Sequence, residues 1–181
     1  RTSAQDALLA CCEALGISAT KEAIYKATLP VEGGTTIGAI VNHAKAMGMD
    51  MVWDGNMQVE KGGPEYALLQ RTAGVFFVEL KVTFNEMPMF TKDIHYSHCA
   101  MYNGGFVHPE FGTRGCIRGN GLCLTMEECL RTDKMAVRRL WDDMFTDARS
   151  VRVSGIWRMD AASVPKALDP RKMLERKDVK T

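Results

Sequence analysis

Ala4-Gln5-Asp6-Ala7-Leu8-Leu9-Ala10-Cys11-Cys12-Glu13-Ala14-Leu15-Gly16-Ile17 is the stretch whose reading decides the fold. Ala4, Ala7, Leu8, Cys11, Ala14 and Leu15 recur at helical spacing and mark one apolar face. Ser3 is a candidate N-cap and Gly16 a candidate C-terminal stop, so the pattern predicts a helix over 3–15. A second stretch answers it: His95-Tyr96-Ser97-His98-Cys99-Ala100-Met101-Tyr102-Asn103-Gly104-Gly105-Phe106-Val107-His108-Pro109. It reads as a strand opening on a histidine, a tight Asn-Gly-Gly turn and a return strand.

Working outward, a second helix is expected over 19–27, capped by Ser18, and a third from Thr35 or Thr36 to Gly48. A short strand follows over 49–53, then a turn-rich run over 54–64 and an apolar segment of open type over 66–70. Residues 75–82 alternate and are rich in β-formers, so they read as a strand. Residues 83–94 read as an excursion and 109–123 as a glycine-rich loop. Helices are expected over 126–131, capped by Thr125, and over 133–145, with a closing strand over 151–159. Helices first, then a mostly antiparallel sheet, then a helix and a strand is an α+β order. The boundaries are one domain over 1–159 and a polar tail or linker over 160–181.

Bulk properties narrow the function classes. A chain of 181 residues with 46% hydrophobic and 25% charged content suits one domain with a full core. The formal net charge of +1, without long like-charge runs, argues against nucleic acid or an anionic membrane as partner. No apolar run is long enough to span a bilayer. A start at Arg1 reads as a processed or cut end. Of the 6 cysteines, Cys11 and Cys12 are adjacent on one helix and poorly placed for two bridges. The set reads as free thiols of a reducing, cytoplasmic compartment. His108, Cys116, Cys123 and Cys129 do not have the spacing of a zinc knuckle, and no metal or cofactor is called for. Trp141 and Trp157 read as core.

The stretch Gln5 to Ala10 with Leu15-Gly16-Ile17 resembles the nucleophile helix of papain-like (clan CA) cysteine peptidases. The layout is most similar to double-glycine leader peptidases and Josephin-type deubiquitinases. Gly34-Thr35-Thr36 through Ala46-Met47-Gly48-Met49 looks like their third segment. His98-Cys99-Ala100-Met101-Tyr102 with Phe106-Val107-His108-Pro109-Glu110 looks like the histidine strand and its partner. The resemblance implies a papain-like fold, with N-terminal helices packed on a mostly antiparallel sheet. It puts Ala7 at the nucleophile position, His98 as base, His108 or Glu110 as the group orienting it, and Gln5 at the oxyanion. The backbone N–H of residue 7 is an alternative oxyanion donor. Such a site needs a thiolate at a helix N-terminus, where the dipole favours negative charge, and Ala7 supplies none.

The expectation is therefore a cysteine peptidase, acting on peptide or isopeptide bonds, with its nucleophile replaced by Ala7. Deliberate Cys→Ala inactivation explains the alanine. The alternative is a natural pseudopeptidase serving as a peptide-binding or structural subunit. The implied partner is a peptide or protein, such as a ubiquitin-like chain or the chain's own polyprotein. Cys11 and Cys12 are rival nucleophiles whose mid-helix placement suits core thiols.

Overall fold

The computed structural model describes residues 2–29, 35–84, 94–109, 123–131 and 134–161. Cys116, Glu110, the loop over 110–122 and the tail from 162 onward lie outside the described residues, as does most of the 83–94 excursion.

Helix α1 runs Ser3–Leu15, and Gly16 ends it in the left-handed conformation with φ 72°. Its backbone N–H and that of Ile17 close on carbonyls of the last turn. The N-cap is Thr2 rather than Ser3, with no side-chain cap. Ser3 is the first helical residue, so its hydroxyl is released for other use. Helix α2 is Lys21–Ala27, capped by Thr20, whose hydroxyl accepts the Ala23 N–H at 3.1 Å. The expected Ser18 cap is displaced by this better-placed threonine. Thr36 caps α3 (Ile37–Ala46) in the same way. Pro64 opens α4 (Pro64–Arg71), the segment whose type the sequence left open.

Strands β1 (Asp50–Val59), β2 (Val75–Phe84), β3 (Ile94–Tyr102), β4 (Gly105–Val107) and β5 (Ala148–Asp160) form one antiparallel sheet in the order β1-β5-β2-β3-β4. Strand β1 corrects the expected stop at Trp53. It continues through Asp54-Gly55-Asn56 because β5 supplies a partner along its length, with irregularities in register on either side of Gly55. Helices α5 (Met126–Leu130) and α6 (Lys134–Asp147) complete the fold, the first with a Thr125/Glu128 capping box. The architecture is α+β.

Asn103 and Gly104, with φ of 52° and 84°, make the two-residue turn between β3 and β4. Gly104 is fixed by contact as well. A Cβ there would stand 2.4 Å from the Gln70 carbonyl oxygen. The Gly104 carbonyl in turn accepts the buried indole N–H of Trp141 at 2.8 Å, which ties α6 to the hairpin.

Helix α1 lies chiefly against β3 and β2. Ala7, Leu8, Ala10 and Cys11 are fully buried, and Cys11 Sγ donates to the Phe76 carbonyl oxygen of β2 at 3.7 Å. Complete burial of side chains such as Leu8 and Phe77 contributes about 1.5–3 kcal/mol each. This packing sets the start of α1 beside the middle of β3. Among the described residues, no helix is long and apolar enough to cross a membrane.

Candidate functional site

Three side chains meet where the start of α1 crosses the sheet. Ser3 Oγ stands 3.4 Å from His98 Nδ1. His98 Nε2 stands 3.0 Å from Glu79 Oε2. Ser154 donates from its hydroxyl to Glu79 Oε1 at 2.9 Å and to the Glu79 carbonyl oxygen at 3.2 Å. An ionised carboxylate only accepts, so Nε2 carries the proton in the neutral ring and Nδ1 is left to accept from Ser3. The ring nitrogens are used in the opposite sense from the Ser-His-Asp template, while the order of groups is the same.

Strand register builds this array. Glu79 and His98 are direct partners across β2 and β3, the closest placement the sheet allows two side chains of one face. On its other side Glu79 faces Gly155 while Leu80 faces Val153, so Ser154 is the extra residue of a bulge. The bulge aims the Ser154 hydroxyl at the carboxylate. Phe77 backs the imidazole, with ring centroids 5.5 Å apart. The His98 and Glu79 side chains are 24% and 34% exposed, so solvent and a ligand reach them.

Ser3 also sits where backbone donors are free. The first intrahelical bond runs from the Asp6 N–H to the Thr2 carbonyl at 2.9 Å. The N–H groups of Ser3, Ala4 and Gln5 therefore have no acceptor within the helix and point out from its start. A developing oxyanion beside Ser3 would meet these donors and the positive end of the helix dipole.

The other sequence-predicted residues fall elsewhere. Ala7 is a turn further on and has no exposed surface; a side chain at this position belongs to the core. Gln5 is also fully buried. Its amide nitrogen donates to Thr28 Oγ1 at 3.1 Å and Thr35 Oγ1 at 2.8 Å, fastening α1 to the chain on either side of the 30–34 segment. His108 is 1% exposed and lies with Asp6, its Nε2 being 3.3 Å from Asp6 Oδ2. It is not a hydrogen-bond partner of His98, whose partners are Ser3 and Glu79. Asp6 also holds Lys21 Nζ at 3.0 Å and accepts from Thr2 Oγ1 at 2.9 Å. Burial pushes the Asp6 carboxyl up, but His108, Lys21 and Thr2 outweigh it and hold the group below its ordinary 3.8. Cys11 and Cys12 are buried free thiols. Burial pushes Cys11 well up and Cys12 up to about 11, the reverse of what a nucleophile needs.

A row of rings leads away from His98 across the sheet. Phe77 meets Trp157 at 5.9 Å and Trp157 meets Trp53 at 5.1 Å, both edge to face. Trp157 bends over Gly155, where a Cβ would stand 2.5 Å from its ring. Trp53, on edge strand β1, is 53% exposed.

Sequence reasoning missed Ser3, read as a cap, and Glu79, read as one more residue of a strand. The signal for Glu79 was that it is the lone carboxylate of β2, on the same face as Phe77. The chain matches no protein-family model, no curated protein and no solved structure.

Proposed function

We propose that this domain is an acyl-transfer hydrolase of papain-like design, cleaving peptide or isopeptide bonds, with Ser3 standing where the nucleophile belongs. The observation that carries the reading is the continuous Ser3–His98–Glu79 array at the start of α1. In this reading the Ser3 hydroxyl attacks the carbonyl carbon and passes its proton to His98 Nδ1. The free N–H groups at the start of α1 stabilise the oxyanion. His98 then gives the proton to the leaving amine. Water, deprotonated by His98, releases the acid and restores the hydroxyl. Glu79 positions the ring and stabilises its charged form, and Ser154 positions Glu79.

A second reading has its own support, since a hydroxyl is a weaker nucleophile than a thiolate. The domain would then hold a peptide without cutting it, as an inactive peptidase does. The exposed Trp53, continuous with His98 through Trp157 and Phe77, supports a peptide ligand in both readings.

A fluorophosphonate probe with peptide mapping tests the proposal. An adduct on Ser3 that disappears in Ser3→Ala and in His98→Ala supports hydrolysis. If the native chain stays unlabelled while Ser3→Cys is captured by peptide vinyl sulfones, the second reading holds. Failure of both would remove the peptidase reading.

A further inference from the structure

A cavity of about 350 Å³ opens between α4 and α6, lined by Gln70, Arg71, Lys134, Val137 and Arg138. None of these residues belongs to the Ser3–His98–Glu79 array. Three of the five are cations drawn from two helices, Arg71 from the last turn of α4 and Lys134 and Arg138 from adjacent turns of α6. Among the described residues, no carboxylate forms an ion pair with any of the three.

That gap follows from how the fold uses its carboxylates. Asp142, one turn beyond Arg138, is the partner that helix spacing offers. It instead accepts the Tyr66 hydroxyl. Burial first, and then Asp142, push the Tyr66 phenol up to about 12, while Gln70 and Arg138 act in the opposite sense. Glu128 is held in its capping box, and Glu127 pairs with Arg131. Among the described residues, the cavity collects three cations, while Asp142, Glu127 and Glu128 are engaged elsewhere. Like charges a turn apart on one helix repel, so the arrangement is relieved when an anion enters.

We propose that this cavity binds a phosphate-type oxyanion, as the phosphoryl group of a small ligand. Two guanidinium forks and an ammonium suit three equivalent oxygens, because each fork can donate two parallel N–H bonds. Gln70 adds a neutral donor, and Val137 gives one wall apolar contact. The volume lies in the range of small-ligand sites, about 300–1,000 Å³.

The test uses the full chain, labelled for NMR, titrated with sodium pyrophosphate, with inorganic phosphate and with an oligoglutamate peptide, all at constant ionic strength. Saturable shifts at the Val137 methyls and the Gln70 amide are expected with pyrophosphate, and weaker ones with phosphate. Saturation by phosphate alone as tightly as by pyrophosphate identifies a free-phosphate site. Arg71→Gln with Arg138→Gln should weaken pyrophosphate binding at least about tenfold, whereas Arg152→Gln, exposed on β5, should not. The Trp141 indole resonance reports that each variant is folded, and the single change Lys134→Gln, expected to weaken binding severalfold, serves if the double variant is not. Non-saturating shifts, unchanged affinity in the folded variants, or binding of oligoglutamate in preference to pyrophosphate would overturn the proposal.

Discussion

Helix α1 meets two histidine–carboxylate pairs within one turn, the first through Ser3 and the second through its own Asp6, and they differ in almost everything except chemistry. Ser3 brings α1 to His98 and Glu79, whose side chains are a quarter to a third exposed. Asp6 brings it to His108 and Lys21, with Asp6 and His108 sealed from solvent. In the first, a ring nitrogen is aimed at a hydroxyl beside free backbone donors. In the second, the carboxylate is held between a histidine, a lysine and a threonine. Surroundings, rather than residue type, separate a pair that can move a proton from one that fixes a helix.

Breaking the buried pair should have the largest effect. Asp6→Ala removes the acceptor shared by His108, Lys21 and Thr2, and should cost about 3–5 kcal/mol, read by urea unfolding. The same pair predicts an acid limb. The folded pKa of Asp6 lies below its unfolded value of about 3.9. Its stabilisation is therefore complete above that value and lost as pH falls through the folded pKa. Thermal melts from pH 6 downward should show native stability dropping below about pH 4. Asp6→Asn should be less stable at neutral pH, with a flatter acid limb. Equal slopes for the two proteins would detach Asp6 from the effect.

Changes at the exposed pair should spare stability and alter reactivity. In a Ser3→Cys background, Glu79→Gln should slow alkylation of residue 3 at pH 6 by about tenfold, because the ring loses the carboxylate that holds its Nε2 and aims Nδ1 at residue 3. Its melting temperature should shift by only a degree or two, as expected for a partly exposed ion pair. Trp53→Ala should give the smallest effect: a few-fold weaker capture by aromatic peptide vinyl sulfones in the same background, with alkylation by iodoacetamide unchanged. A drop in both would make Trp53 a structural residue.

Much of this contrast was hidden in the sequence. The helix over 3–15 was legible because its apolar period and Gly16 agree, and the hairpin because Asn103-Gly104 suits a two-residue turn. His98 could be picked out as a candidate because the sequence reads it as opening a strand, although β3 begins at Ile94 and places it mid-strand. Its partners could not, since they depend on register: Glu79 reaches His98 only because β2 and β3 pair in that phase. Asp54-Gly55-Asn56 looked like a turn, and only pairing with β5 draws it into β1. Ser3 satisfied a local rule for capping, which concealed its contact with a residue far along the chain. Ala7 carried the correct helical phase for burial, which is what the structure assigns it.

The most direct measurement is the pH dependence of iodoacetamide alkylation at residue 3 in Ser3→Cys, with and without His98→Ala. Among the described residues the native thiols are buried, and burial pushes Cys12 and Cys129 up to about 11 and 12. Peptide mapping isolates the new site. A thiol pKa of about 7.5 or lower is expected in Ser3→Cys, returning toward about 8.5 when His98 is removed, with alkylation at pH 6 slowed at least about tenfold. A thiol that titrates near 8.5 whether or not His98 is present would contradict it.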